Sequence, residues 1–139
     1  MLHKIKMVNM FTWMVSGIFL LFCSYINFSF LYGDWDIPQE EIRPHYFLLI
    51  SLGIIGVINL IYGGIQIIEL RNKFMMKELG VIKTSTYLYY SCNILACAFI
   101  LRQGYSHKIK LVFCMFCLIP VFIDAFVKFL ERYKVKEYN

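Results

Sequence analysis

Residues 47–68 read FLLISLGIIGVINLIYGGIQII, 22 positions without a charge. At a rise of ~1.5 Å per residue a helix of this length covers ~33 Å, enough for one bilayer crossing. Its two sides differ in kind. Ile54, Ile58, Ile61, Ile65 and Ile68 fall in one narrow arc, and Gly53, Gly56, Asn59, Gly63, Gly64 and Gln66 fall in the opposing one. Small residues let a neighbouring backbone approach closely, and amides need partners where no water is present. The isoleucine side is expected to face lipid and the glycine and amide side to face protein.

The whole chain follows the same pattern. It has 139 residues, 60% of them hydrophobic, where an ordinary soluble domain is about half apolar. This length suits one domain, residues 1–139. The net charge of +5 does not point to nucleic acid, because the basic residues sit at the ends of apolar runs rather than along one polar face. Lipid headgroups are the expected counter-charge. Five cysteines (Cys23, Cys92, Cys97, Cys114, Cys117) lie inside apolar runs and none lies in a loop, which is not the spacing of a secreted disulfide framework.

Four apolar runs predict helices over 8–32, 46–70, 84–102 and 109–131. The first is longer than the core of a cleaved signal and is expected to be retained. Ser16, Leu20, Cys23 and Asn27 share one of its faces. Residues 33–44 (GDWDIPQEEIRP) read as a loop with two prolines and four acids, Asp34, Asp36, Glu40 and Glu41. No histidine or cysteine completes a ligand set there, so a solvated turn is expected rather than a metal site. The third run is the least hydrophobic, and Thr86, Tyr90, Asn93 and Cys97 line one of its faces. The charged tail from Glu131 onward is expected to fray. The predicted fold is all-α: an integral membrane bundle of four transmembrane helices with both termini on the cytoplasmic side. That orientation places ten of the fourteen basic residues inside and only Arg43, Arg102, Lys108 and Lys110 outside. Trp13, Phe74, Tyr87 and Phe129 then mark the inner interface, and Tyr32, Trp35, Tyr46 and Tyr105 the outer one.

Within the spans, Asn59 and Asn93 fall near mid-membrane and are expected to bond to each other between the second and third helices. Asp124 is the deepest acid, with Lys128 four residues later in the favoured order for an ion pair. The pair reads either as an interfacial anchor with a snorkelling lysine or as a transport site assisted by Gln66 or Glu69. Pro120 frees the carbonyl of Phe116 one turn away. Cys114 and Cys117 form a C-x-x-C on the fourth helix, a spacing that supports redox chemistry where a cation or a helix N-terminus lowers one thiol's pKa. That motif and the helix count resemble the vitamin K epoxide reductase family, four-helix membrane proteins with a C-x-x-C toward the outer part of the last helix. The resemblance implies a thiol oxidoreductase using Cys114 and Cys117. The family's second cysteine pair, in the first outer loop, has no counterpart in residues 33–44.

No Ser/His/Asp set, phosphate-binding loop or H-E-x-x-H is present, and neither a metal nor a cofactor is expected. Three functions compete. The first is a non-catalytic accessory, assembly or immunity-type partner of another membrane protein. The second is a small oligomeric transporter or channel subunit using Asp124 and Lys128. The third is the thiol oxidoreductase. Expected partners are the bilayer and another membrane protein or a second copy, and the expected location is a bacterial plasma membrane or an organellar one.

Overall fold

The computed structural model describes residues 2–32, 39–71, 86–104 and 106–137. They form an all-α bundle of four helices: α1 (Leu2–Tyr32), α2 (Gln39–Arg71), α3 (Thr86–Arg102) and α4 (His107–Glu137). The main packing runs between sequence neighbours, α1 on α2, α2 on α3 and α3 on α4, and α4 closes the ring against α1. One end of the bundle therefore holds the start of α1 and the finish of α4, and is called here the termini end.

Three helices are long and apolar enough to cross a membrane, over His3–Ser29, Tyr46–Arg71 and His107–Tyr133. The fourth, α3, has 17 residues. It covers ~25 Å and falls just short of the ~20 residues of a full crossing. Ile54, Ile61, Val57, Phe22, Leu95, Phe122 and Phe126 are all exposed, an exterior suited to hydrocarbon rather than water.

Two expectations about helix ends are corrected. α2 begins at Gln39, inside the stretch read as a loop. Glu40 and Glu41 then belong to the helix rather than to a loop. The stretch from Glu131 onward, expected to leave the helix, is helical as far as Glu137. Between α3 and α4 the chain turns tightly. The Ser106 carbonyl accepts the Lys110 backbone N–H at 3.1 Å, the opening bond of α4, and Lys110 Nζ donates to the Leu101 carbonyl at 3.2 Å. Residues 1, 33–38, 72–85, 105 and 138–139 lie outside the described residues, and with them the first half of the acidic stretch, the basic link, Trp35, Phe74 and Tyr105.

α1 and α2 approach closest of all, and glycine permits it. A Cβ on Gly17 would stand 2.8 Å from the Gly56 carbonyl oxygen and 2.7 Å from Leu60 Cγ. One on Gly56 would stand 3.0 Å from the Gly17 oxygen, and one on Gly63 would meet Met14 Sδ at 2.9 Å. Gly53 faces Ser24, whose hydroxyl donates to the Leu49 carbonyl at 2.9 Å. Gly64, expected on the same side, meets nothing within 4 Å. The isoleucine arc is also displaced. Ile54, Ile61 and Ile68 are exposed, but Ile65 is buried and Ile58 packs on the core. α2 touches α1 on one side and α3 on the next, so its lipid-facing arc is narrower than a two-sided helix would have.

Candidate functional site

Each helix presents a seam of residues spaced alternately three and four apart, the repeat of left-handed helix packing. On α1 it runs Lys6, Asn9, Trp13, Ser16, Leu20; on α2, Glu69, Gln66, Tyr62, Asn59, Ile55, Leu52, Leu48. On α3 it runs Thr86, Tyr90, Asn93, Cys97, Ile100, and on α4, Glu131, Lys128, Asp124, Val121, Cys117. From the termini end inward, these seams stack a charged rim, a carboxylate hub, an amide layer and an apolar plug.

The hub is Asp124, 2% exposed. Its Oδ1 accepts Asn9 Nδ2 at 2.6 Å and Gln66 Nε2 at 3.0 Å. Its Oδ2 accepts the Tyr62 hydroxyl at 3.0 Å, the Tyr90 hydroxyl, and Lys128 Nζ at 2.9 Å. One carboxylate thus receives five donors drawn from all four helices. Lys128 also donates to the Tyr62 hydroxyl at 3.0 Å and to Thr86 Oγ1 at 3.1 Å, and its ammonium lies over the rings of Tyr62 and Tyr90. A buried ion pair holds only when further hydrogen bonds replace the lost water, and this one has them. Trp13, expected at the interface, is fully buried instead, edge-on to Tyr62 at 4.7 Å between ring centres. Tyr87 and Phe129 are exposed, consistent with the interfacial reading.

The next layer confirms the expected amide pair. Asn93 Nδ2 donates to Asn59 Oδ1 at 2.9 Å, and Asn59 Nδ2 returns to Asn93 Oδ1 at 3.2 Å. Asn59 Nδ2 also reaches Ser16 Oγ at 3.0 Å. Ser16 in turn donates to the Phe116 carbonyl at 2.6 Å, the one Pro120 leaves without its helical partner. α1 thereby supplies the hydrogen that the proline removed from α4.

Beyond the amides lies a plug of Leu20, Leu48, Leu52, Ile55, Ala96, Cys97, Ile100 and Cys117, with Cys23, Cys92 and Cys114 packed against it. All five thiols are free. Cys114 Sγ lies 3.9 Å from the Cys97 carbonyl and Cys97 Sγ lies 3.7 Å from that of Cys114, so these two thiols are turned toward backbone of the facing helix. Among the described residues no cation lines this cluster. Among the described residues no three His, Cys, Asp or Glu side chains stand together as a metal site.

A cleft of about 110 Å³ opens at the termini end and reaches down to Asp124. Lys6, Asn9, Gln66, Glu69, Lys128 and Glu131 form its polar wall, and Lys6 is paired with Glu131 across the rim. The structure therefore unites Asp124, Lys128 and Gln66, as the transport reading required, and places Glu69 on the same cleft. Gly53, Gly56, Gly63, Asn59 and Asn93 are used in helix packing. Asn9 and Tyr62 were not foreseen. Asn9 looks like the polar start of an apolar run, and Tyr62 like one more interfacial aromatic; only the three-four spacing links them to Asp124's level. The chain matches no known protein family, no curated protein and no solved structure, and its function rests on the geometry of its own residues.

Proposed function

We propose that this protein is a non-catalytic module of the membrane that works by docking to another membrane protein, as an accessory subunit, assembly factor or immunity-type partner. One observation carries the reading: the Asp124 hub and the Asn59–Asn93 pair are bonded across the helices of the chain itself, and an apolar plug closes the far half of the bundle. Among the described residues this plug is apolar throughout and leaves no path past the amide layer. The bundle presents a stable exterior of aliphatic and aromatic side chains, and that exterior is the surface a partner helix would meet. Positive charge concentrated at the termini end favours placing that end in the cytoplasm of a bacterial cell. The test is extraction of the tagged full chain in a gentle detergent after crosslinking. A second membrane protein in fixed stoichiometry is expected. A lone, homogeneous species would overturn the reading.

The cleft supports a second reading, a transporter subunit whose closed far half is one state of an alternating cycle. It requires that Asp124→Asn abolish flux in proteoliposomes while the protein still assembles. Absence of any flux above empty vesicles for the unaltered protein would dispose of it.

A further inference from the structure

The outer seam between α1 and α4 does not close along its whole length. At mid-span it leaves a groove of about 160 Å³. Phe11, Val15 and Ile119 form its exposed lip, and Ser16 and Pro120 form its buried floor. Both hydroxyls beside it are engaged by backbone: Thr12 Oγ1 donates to the Asn9 carbonyl at 2.7 Å, and Ser16 Oγ to the Phe116 carbonyl at 2.6 Å. Pro120 has no N–H to offer. No polar atom is therefore exposed on the lining, and a water molecule would find none of the partners it needs there.

Apolar space of this size takes up apolar matter: an engineered cavity of about 150 Å³ lined by aliphatic and aromatic side chains stays dry and binds benzene. Left empty, the groove would forfeit the dispersion contacts of its lining. It opens outward between two helices fit to cross a membrane, beside exposed Phe11, Ile119 and Phe122, so the medium at its mouth is hydrocarbon. A track also leads to it from the termini end. Lys4, Val8, Phe11 and Val15 stand four, three and four residues apart on one line of α1, and all four are exposed. Lys4 lies two residues outward of Lys6, at the charged rim. Val15 lies eleven residues deeper, ~16 Å at the helical rise, which matches the ~15 Å of hydrocarbon in one leaflet. The positive charge is thus placed for a phosphate and the groove for the end of the chain that hangs from it. We propose that this groove binds one acyl chain of a bilayer phospholipid whose phosphate is held at Lys4. The site is separate from the Asp124 cleft and requires no docked protein.

The experiment uses the full chain in phosphatidylcholine nanodiscs that carry a small fraction of the same lipid with a photoactivatable diazirine at the end of one chain. Adducts are mapped by peptide mass spectrometry. Ile61 and Ile94 serve as controls, since both are more exposed than Val15 and Ile119. Ile61 also stands at the depth of Val15, because Gly56 faces Gly17 and Gly63 faces Met14. Lipid that merely surrounds the bundle labels these controls at least as strongly as the groove. An excess of about fivefold at Val15 and Ile119 is expected, a preference of only ~1 kcal/mol. Val15→Phe and Ile119→Phe add bulk at the lip, and each should remove the excess from the remaining groove residues while labelling of Ile61 stays unchanged. Lys4→Glu should lower the excess by repelling the phosphate. No excess over the controls, or an excess that persists in both filled variants or in Lys4→Glu, overturns the proposal. Protection of the groove from lipid label while Ile61 and Ile94 react also overturns it and assigns the groove to a protein partner.

Discussion

At the centre of a span an aspartate costs about 2.5–3.5 kcal/mol on insertion scales and nearer an end it costs less; at Asp124 five donors offset that cost. Removing the acid alone strands Lys128 and four neutral donors in an apolar setting. Asp124→Leu should therefore destabilise the bundle by about 3–5 kcal/mol, read as a shift in unfolding by titrated sodium dodecyl sulfate in mixed micelles. Changing both members of the pair, Asp124→Leu with Lys128→Met, should recover a large part of that loss, because an apolar pair of similar volume replaces a charge pair at little net cost. The amide layer makes a smaller and cleaner case. A double-mutant cycle of Asn59→Ala and Asn93→Ala should return a coupling of about 0.6–2 kcal/mol in the same assay, the range for hydrogen bonds between helices in lipid. Coupling near zero would mean that each amide finds another partner when its mate is gone. This pair was legible in the sequence because both asparagines stand near mid-span, where an unsatisfied amide is untenable. The hub was legible only in part: the Asp124 and Lys128 spacing gives the ion pair, while Asn9 and Tyr62 are ordinary residues until four helices are set side by side.

At the scale of the helix, glycine placement decides how α1 and α2 meet. Gly17→Ala or Gly56→Ala would drive a methyl into the facing backbone at 2.8–3.0 Å, and the helices must separate to admit it. A loss of about 1–3 kcal/mol is expected, the usual cost of overpacking. Gly64→Ala meets open space and should stabilise α2 by about 0.5–1 kcal/mol through backbone entropy alone. The opposite signs of two glycine-to-alanine changes on one helix are the check, measured by the same detergent titration. Sequence periodicity found the α2 glycines but misplaced the lipid arc, treating Ile58 and Ile65 as outward. A lone helix has no record of how many neighbours flank it, and α2 has two. On α3 the line Thr86, Tyr90, Asn93 and Cys97 was read correctly, because Asn93 is the one amide of that helix and sets which face must turn inward. Pro120 illustrates an interaction that spans two elements. Pro120→Ala should restore the α4 hydrogen bond to Phe116 and make Ser16→Ala less damaging than it is beside the proline.

Across the whole molecule, the polar end and the apolar plug differ in reach. The five thiols all lie in or against apolar packing, so a membrane-impermeant maleimide should label none of them in the folded protein and all of them after denaturation in sodium dodecyl sulfate. Rapid labelling of Cys114 or Cys117 in the folded state would revive redox chemistry there. The all-α class and the membrane setting were plain from composition and run length, whereas the cleft was not, since it belongs to no single helix. The arrangement around Asp124 also has a temporal consequence. Ribosomes deliver α1, α2 and α3 first, and the glycine-mediated hairpin of α1 and α2 can form as soon as both are inserted. Until α4 arrives, the amides of Asn9 and Gln66 and the phenols of Tyr62 and Tyr90 have no carboxylate to meet. The hub therefore closes only when α4, made after the other three helices, supplies its carboxylate, and a chain halted before it would display to quality-control proteases the polar groups that the finished bundle conceals.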